Sequence, residues 1–268
     1  MSDPVTDIIY SYIESIQSDK PSTANRCSAA TMCVRRRWYA NKGLPGEKLT
    51  ARKIINFSQG DIAELNYKYW VEKACLGSVY SELDFGTKTG EVKVGGTTLV
   101  THEQKTITFR IGPFNIPGHV DGLGKRVSDG KWELIEFKSA SSYGFDEFVD
   151  NGPGDYLKQA HALMMTDELI ALGVDSVRFF YLKKETGEIY SRLYQFDNSI
   201  AVTVKTEFLQ SNQETAPDQP YGFVDKKMDK TRTVKSVPWQ CGYCAYLETC
   251  KGPHKVEFKS GKPVYVFE

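Results

Sequence analysis

Two short stretches decide how this 268-residue sequence is interpreted: Gly118-His119-Val120-Asp121 and, in the next apolar run, Glu136-Phe137-Lys138. Successive side chains of an extended strand point to opposite faces of a sheet. Glu136 and Lys138 therefore share one face, while Phe137 points to the other face and into a core. The pattern predicts an acidic residue and a lysine side by side on an interior strand.

The two stretches are expected to pair as neighbouring strands, because a glycine-containing turn, Ser128-Asp129-Gly130, lies between them. Pairing places Asp121 close to Glu136. Adjacent carboxylates repel each other unless a cation lies between them, and hard cations such as Mg²⁺ and Mn²⁺ prefer oxygen ligands. With Lys138 to hold a water, this is the minimum apparatus of metal-assisted phosphodiester hydrolysis. Taken alone, the triplet also fits a solvated strand face with an ion pair.

The same triplet occurs a second time, as Glu257-Phe258-Lys259. This copy lies among lysines and glycines and has no carboxylate-bearing strand before it. The first copy follows the apolar pair Leu134-Ile135, which is typical of an interior strand. We therefore predict that the second copy lies on the surface and has no catalytic role.

The composition is that of an ordinary globular protein, with 40% hydrophobic residues, 25% charged residues and a formal net charge of zero. No apolar run approaches the roughly 20 residues that a membrane-spanning helix needs. The N-terminus also lacks the pattern of a secretory signal. We expect no membrane association and a cytoplasmic location, which is the host cytoplasm if the protein is viral. The candidate polyanion-binding stretches are local: Arg35-Arg36-Arg37 and residues 226–235.

Hydrophobic periodicity predicts helices over roughly the first 75 residues. From about residue 98 to 139 it predicts strands, at 105–111, 118–127 and 132–137. Next come a helix over 155–172, a hairpin of 176–183 with 189–196, and a helix over 199–213. This order predicts an α/β fold with a central mixed β-sheet flanked by helices. We divide the chain into an N-terminal helical region at 1–97, a core at 98–215 and a cysteine-rich segment at 216–268, packed as one globular unit.

Three of the six cysteines form a C-x2-C-x5-C cluster, namely Cys241, Cys244 and Cys250. In a cytosolic chain this spacing is typical of a metal site rather than of disulfides. A fourth ligand has to come from elsewhere, and the candidates are Cys27, Cys33 and Cys75. Arginines next to Cys33 would offset the negative charge of thiolates. Zinc and an iron–sulfur cluster both accept four thiolates.

Taken in order, Cys33-Val34-Arg35, the two strand motifs and the terminal cysteine cluster resemble the RecB-type nucleases of the PD-(D/E)XK superfamily. Within this superfamily the sequence most resembles the iron–sulfur branch, which contains the Cas-four exonucleases, the AddB nuclease domain and related phage exonucleases. It covers residues 27–252. It implies a restriction-endonuclease-like nuclease core at 98–215, with the N-terminal helices joined to the C-terminal segment by a metal cluster.

The resemblance also implies roles for the strand residues. Asp121 and Glu136 would be ligands of Mg²⁺ or Mn²⁺, together with the backbone carbonyl of Phe137. Lys138 would position and activate the attacking water. Glu64 follows a glycine by four positions, as in the family's upstream helical motif, and would be a third carboxylate ligand where many relatives have histidine. A solvated helix residue is the alternative interpretation of Glu64.

Gln159 resembles the glutamine of the family's Q-x3-Y motif, which gives it a place in the catalytic site. Leu163 occupies the tyrosine position of that motif, so the match is partial. Tyr156 lies one helical turn before Gln159 and is a candidate replacement for the missing aromatic ring. Packing within a buried helix is the alternative role for Gln159.

For Cys33, Cys241, Cys244 and Cys250 the resemblance implies a [4Fe-4S] cluster, with zinc as the alternative occupant. The implied activity is that of a divalent-metal-dependent DNA exonuclease that acts on single strands or duplex ends in recombination, repair or DNA processing. DNA is the implied partner, together with a protein of recombination or of CRISPR adaptation. The motifs leave the oligomeric state open.

Two competing functions use the same residues differently. The first is a catalytically silent DNA-binding or assembly module that keeps the fold and a structural metal cluster. The second is a zinc-stabilised regulatory protein in which the carboxylates are only ion-paired. The sequence contains no G-x4-G-K-[ST] phosphate loop, which argues against an ATP-driven helicase.

Overall fold

The computed structural model describes residues 4–16, 24–260 and 262–267. The chain forms two compact units. The unit that we call the sheet unit comprises Asn25–Thr31 and Ala51–Leu209, and the cysteine unit comprises Met1–Ala24, Met32–Thr50 and Gln210–Glu268. The three-part division at 1–97, 98–215 and 216–268 follows the order of motifs along the chain, and it stays a prediction.

Helices and strands occur in runs along the described chain, with seven consecutive strands between residues 75 and 142. The helices are α1 (Pro4–Ser15), α2 (Val34–Asn41), α3 (Ala51–Cys75), α4 (Ser142–Asn151), α5 (Tyr156–Met164), α6 (Asp167–Ala171), α7 (Asn198–Ser211), α8 (Trp239–Gly242) and α9 (Leu247–Lys251), with a 3₁₀ turn at Cys27–Thr31. The strands are β1 (Tyr80–Asp84), β2 (Thr87–Val94), β3 (Thr97–Glu103), β4 (Lys105–Ile111), β5 (Phe114–Val120), β6 (Gly122–Arg126), β7 (Trp132–Ala140), β8 (Ser176–Lys183), β9 (Ile189–Gln195), β10 (Val224–Lys227), β11 (Thr233–Ser236), β12 (Lys255–Lys259) and β13 (Lys262–Val266).

A five-stranded mixed sheet lies at the centre of the sheet unit, in the order β1-β6-β7-β8-β9. Its neighbouring strands are antiparallel except for β7 and β8, which are parallel. A parallel pair needs a long crossover, and α4, α5 and α6 lie in it. Helices α3, α4 and α5 contact β7. The predicted α/β class, a central mixed sheet flanked by helices, is confirmed, while the metal cluster in that prediction stays a prediction.

The two faces of the central sheet are covered by separate apolar clusters. Phe137 lies in one of them, where its ring stacks on Tyr67 of α3 at 5.1 Å and approaches Phe180 of β8 at 5.6 Å. Leu134 lies in the other cluster, with residues of α4, α5 and α7. The strand alternation therefore turns Phe137 into the core on the α3 side and leaves Glu136 and Lys138 on the opposite face.

The strand expected over 118–127 is interrupted at Asp121, which lies between β5 and β6. Strand β5 pairs with β4 in a separate hairpin, whereas β6 joins the central sheet beside β7. The Asp121 side chain bridges the interruption, because its Oδ2 accepts a hydrogen bond from the Phe137 backbone N–H at 3.0 Å. A single continuous strand was therefore the wrong prediction, and the interruption leaves Asp121 at the edge of β7.

Other elements also differ from the sequence prediction. Strands β1 and β2 occupy 80–94, within the region 1–97 that was named helical but after its predicted helices, and α4 was not predicted. The helix expected over 155–172 is two helices, α5 and α6. Thr166 separates them, because its Oγ1 caps α6 by accepting a hydrogen bond from the Leu169 N–H at 3.4 Å. The hairpin of β8 and β9 was predicted correctly.

The cysteine unit contains two β-hairpins, β10–β11 and β12–β13, and the short helices α8 and α9. A small apolar cluster of Val237, Leu247 and Phe267 lies within it. Helix α2 contacts the segment after α7, since Arg35 Nη1 donates to the Pro217 carbonyl at 2.6 Å and Trp38 Nε1 donates to the Gln213 carbonyl at 2.9 Å. Over the described ranges, no helix combines the length and apolarity needed to cross a bilayer.

Replacing Gly118 with alanine should destabilise the sheet unit. The added Cβ would lie 2.5 Å from Leu163 Cδ2 and 2.8 Å from Cys27 Sγ, so we expect overpacking to lower the free energy of unfolding by about 1–3 kcal/mol. Gly222→Ala is the matched control, because its Cβ meets nothing within 4 Å. Urea unfolding followed by circular dichroism measures both variants, and equal midpoints would contradict the packing described for Gly118.

Candidate active site

Asp121, Glu136 and Lys138 meet at one end of the β6–β7 pair. Lys138 Nζ lies 2.5 Å from Glu136 Oε2 and 3.7 Å from Asp121 Oδ2. Glu136 is fully buried, and Asp121 is almost so. The structure thus gathers the three residues that the strand pattern pointed to, in a buried ion cluster rather than on a solvated strand face.

Glu64 reaches the same cluster from α3. Gln104, in the connection between β3 and β4, donates from Nε2 to Glu64 Oε1 at 2.8 Å and to Asp121 Oδ1 at 3.0 Å. Lys68 Nζ lies 2.7 Å from Glu64 Oε1 and is only 4% exposed. Glu64 is therefore a half-buried member of the cluster, held by two hydrogen-bond donors.

Gln159 reaches the cluster from α5, where its Nε2 donates to Glu136 Oε2 at 3.2 Å. Tyr156, one turn earlier, places its ring 5.3 Å from Lys138 Nζ, within the range of a cation–π contact. Leu163, at the family's tyrosine position, is buried in the apolar core instead. An aromatic ring therefore faces the lysine, but it comes from the opposite end of α5.

Burial dominates the electrostatics of the Asp121 and Glu136 carboxylates. It raises the pKa of Glu136 to about 7, although Lys138 lowers that pKa and Asp121 raises it further. Burial likewise raises the pKa of Asp121, with Lys138 acting in the opposite direction. For Lys138, burial lowers the pKa, but Glu136 and Asp121 outweigh it and the pKa is raised. The cluster stabilises positive charge and disfavours two free carboxylates.

The donor set suits a hard divalent cation. The available donors are carboxylate oxygens, and Glu136 Oε1 is buried without a hydrogen-bond partner in the described part of the chain. In residues 4–16, 24–260 and 262–267, however, no three His, Cys, Asp or Glu side chains are gathered in an arrangement that holds a metal ion. Amide and ammonium groups bind the carboxylates instead, so a cation would have to displace part of these contacts.

Sequence reasoning missed two residues of the cluster, Lys68 and Gln104. Lys68 had a detectable signal, because it lies one helical turn after Glu64 and an (i, i+4) acid–lysine pair is a common helix contact. Gln104 had none. It belongs to no regular element, and only the folding of β3 and β4 brings it between Glu64 and Asp121.

The second copy of the triplet lies on the surface, as predicted. Phe258 is 71% exposed. Glu257 makes a two-pronged ion pair with Arg232, at 2.6 and 2.8 Å, and the hydrogen bond from Arg232 lowers the pKa of Glu257. His119, which precedes Asp121 in the opening motif, is also exposed, and its Nδ1 lies 3.2 Å from Thr106 Oγ1.

The four cysteines predicted to bind a cluster are electrostatic neighbours within the cysteine unit. Burial raises the pKa of Cys241 to about 11, while Lys251 lowers it and the thiols of Cys244, Cys33 and Cys250 raise it. Burial also raises the pKa of Cys244, with Arg36 acting against it. Positively charged side chains therefore lie near the thiols, where they would favour thiolates.

No protein-family model matches this chain, and no curated protein matches it. Similar solved structures include the crystal structure of SSO0001, with a TM-score of 0.43 and 15% identity over 93% of this chain and 97% of that chain. Another is an alkaline exonuclease, LHK-Exo, from Laribacter hongkongensis, with a TM-score of 0.41 and 15% identity over 76% of this chain and 90% of that chain. Its complex with dAMP matches with a TM-score of 0.38 and 15% identity over 75% and 88% of the two chains. These TM-scores are too low to carry a functional argument, which comes from the geometry of the site.

The buried Glu136 should make the stability of the metal-free protein depend on pH. Its pKa of about 7 in the folded state exceeds the value of about 4.3 for an exposed glutamate, so the folded protein retains a proton that the unfolded chain releases. Stability is then greatest below the unfolded pKa and falls as the pH rises through the folded pKa. Asp121, whose pKa is also raised, acts in the same direction.

The free energy of unfolding of the wild type should fall between pH 5 and pH 8. In Glu136→Gln we expect this fall to be smaller by about 1–3 kcal/mol. Urea unfolding in EDTA at the two pH values measures this difference. Glu257→Gln is the control, because the pKa of Glu257 is lowered and its titration falls below this window. A pH dependence that is the same in Glu136→Gln and the wild type would show that Glu136 does not titrate there.

Proposed function

We propose that this protein is a divalent-metal-dependent DNA exonuclease that hydrolyses phosphodiester bonds in single strands or at duplex ends. The observation that carries the proposal is the buried contact of Lys138 with both Glu136 and Asp121. Two buried acids beside a buried lysine are unfavourable for folding alone, and such strained charge clusters are concentrated at functional sites. The order of motifs along the chain supports nuclease activity as the function of this site.

Mg²⁺ or Mn²⁺ would be held by Asp121, Glu136, Glu64 and the backbone carbonyl of Phe137. When bound, such a cation supplies Lewis-acid stabilisation of charge on a phosphoryl oxygen and lowers the pKa of a bound water. Glu136 Oε1, buried without a partner in the described part of the chain, is an oxygen that such binding would satisfy. The oxygen-only donor set excludes soft metals as the preferred occupants.

Lys138 would act as a fixed positive charge and hydrogen-bond donor rather than as a general base, since its raised pKa keeps it protonated. From that position it orients the attacking water and stabilises negative charge that develops on the phosphate oxygens in the transition state. Tyr156 and Glu136 hold the ammonium group in place. Gln159 orients Glu136, and Gln104 keeps Glu64 and Asp121 at a common position.

Lys138→Ala should lower Mn²⁺-dependent digestion of end-labelled single-stranded DNA by at least about a hundredfold, because it removes the charge that orients the nucleophile. Binding of the same DNA should be retained. Lys259→Ala, in the surface copy of the triplet, is the matched control and should digest DNA at the wild-type rate. Labels at the two ends, read in parallel, also give the direction of digestion.

Two outcomes would contradict the nuclease proposal. Wild-type protein that binds DNA but never degrades it with Mn²⁺ or Mg²⁺ would favour the silent DNA-binding or assembly module. Equal activity of Lys138→Ala and the wild type would show that catalysis does not use this cluster.

We also propose that Cys33, Cys241, Cys244 and Cys250 bind a [4Fe-4S] cluster. The electrostatic influence of these thiols on one another and the neighbouring Arg36 and Lys251 support thiolate ligation. The cluster would close a loop of 241 − 33 = 208 residues, and closing so long a loop reduces the entropy of the unfolded chain. Its main role would be to stabilise the cysteine unit, as structural metal centres do.

Protein purified without oxygen should contain iron and sulfide and absorb visible light. Cys241→Ser should remove the colour and lower the midpoint of thermal unfolding, because three thiolates hold a cluster poorly. Cys75→Ser is the control, since Cys75 belongs to the sheet unit and should leave the iron content unchanged. Colourless wild-type protein that contains zinc would overturn the iron–sulfur proposal in favour of a zinc site.

A further inference from the structure

A cleft of about 350 Å³ opens beside the carboxylate cluster in the sheet unit. The catalytic residues described above do not line it. Its walls come from the C-terminal part of α3 and from the first three strands, and they include Glu72, Leu76, Leu83, Phe85, Val100 and His102.

Two elements, α3 and β3, connect the catalytic cluster to the cleft. On α3, Glu64, Lys68 and Glu72 follow one another at intervals of four residues, so they share one face at a spacing of about 6 Å. Glu64 belongs to the cluster, Lys68 contacts Glu64, and Glu72 lines the cleft. The cleft therefore begins about one helical turn beyond Lys68.

On the opposite wall, formed by β3, a residue of the cluster is again followed by a residue that lines the cleft. Gln104 belongs to the cluster, and His102, two residues earlier at the end of β3, lines the cleft. Two residues of extended chain cover about 6.6 Å. Counted from Lys68 and from Gln104, the cleft-lining residues Glu72 and His102 each lie about 6 Å away along the chain. This spacing is close to one nucleotide of an extended strand.

The chemistry of the cleft suits a flat, partly apolar group with hydrogen-bonding atoms. Leu76, Leu83 and Val100 supply apolar surface, and Phe85 forms a buried wall with its ring edge-on to His102 at 6.0 Å. His102 Nδ1 is buried, and no hydrogen bond of normal geometry reaches it within the described residues, although the Val100 carbonyl lies near the ring.

The charges of the cleft disfavour a phosphate as its occupant. Glu72 and Asp84 line it, and the ammonium of Lys88, which also lines it, is paired with Glu91 at 2.7 Å. The two carboxylates therefore repel a phosphate group. Burial, followed by Lys68, lowers the pKa of His102, so the imidazole stays neutral and does not offset them. Acceptor oxygens and a neutral imidazole suit the exocyclic amines and ring nitrogens of a nucleobase instead.

We propose that this cleft binds the nucleobase of the nucleotide next to the phosphate that is cleaved. The inference rests on the proposed nuclease function and adds a specific subsite to it. By holding one base at a set distance from Lys138 and Asp121, the subsite would fix the position of the cleaved bond along the strand.

The test combines a change in the DNA with a change in the cleft. End-labelled single-stranded oligonucleotides carry an abasic residue at each of the last three positions of either end in turn. The protein variants are Leu76→Trp, which fills the cleft from its rim, and His102→Phe, which removes the ring nitrogens. Leu172→Trp is the matched control, because Leu172 is also an exposed leucine, at 39% against 48% for Leu76, and does not line the cleft.

An abasic residue at one position should raise the KM of the wild type roughly tenfold, the effect of losing one well-contacted base. Leu76→Trp and His102→Phe should each raise KM on intact DNA by a similar factor. On the abasic DNA these variants should show no further rise, since two changes that remove the same contact are not additive. Leu172→Trp should behave as the wild type.

The results separate this inference from the proposed function. Wild-type protein that digests all the oligonucleotides with equal KM, or cleft variants whose effects multiply with the abasic change, would overturn the subsite while leaving the nuclease intact. Failure to digest any DNA would overturn the proposed function. In that event DNA affinity, measured by fluorescence anisotropy in EDTA, tests whether the cleft binds a base. Equal affinities for intact and abasic DNA would exclude base binding. Urea unfolding of both tryptophan variants checks that they fold.

Discussion

The hydrogen bond from the Phe137 amide to the Asp121 carboxylate is the interaction on which the candidate site depends. The chain leaves the β4–β5 hairpin at Val120 and enters the central sheet at Gly122, so Asp121 belongs to neither ladder. Its side chain takes up a backbone donor at the edge of β7 that would otherwise lack a ladder partner. The same bond holds the carboxylate beside Glu136 and Lys138. The interruption between β5 and β6 therefore also brings Asp121, Glu136 and Lys138 together.

Burial of these charges has a cost that the contacts only partly offset. Raised pKa values of Asp121 and Glu136 show that the folded protein resists having both carboxylates ionised. Lys138, Gln104, Lys68 and Gln159 donate hydrogen bonds or ion pairs to the acids, yet Glu136 Oε1 stays without a partner in the described chain. A cluster that is incompletely satisfied by protein groups is suited to binding an external cation and a polar substrate. This property favours the proposed catalytic role of the site over a purely structural role.

Much of the fold was accessible from local sequence pattern. The bounds of β4 and β8 matched the prediction, the β8–β9 hairpin follows its glycine turn, and strand alternation turned Phe137 and Glu136 to opposite faces. Patterns failed where tertiary contacts override local preference. Strand β2 is almost entirely exposed and β1 has one buried residue, so both carry little apolar signal. The capping bond of Thr166 divides a helix that periodicity alone would continue. The interruption at Asp121 is not a property of its neighbours in sequence, because it arises from the pairing of β5 and β6 with different partners.

The sequence by itself determined the residue types and faces of the proposed catalytic group, because alternation along a strand is a local property that needs no partner. It also separated Glu136-Phe137-Lys138 from its surface copy at Glu257, through the apolar residues that precede the first and not the second. Only the tertiary structure decided that Gln104 and Lys68 hold Glu64 against this group and that a cleft lies one step further along α3. These relations join residues up to 40 positions apart. Their distances are set by how α3 packs on β3 and β7, which no spacing along the chain records.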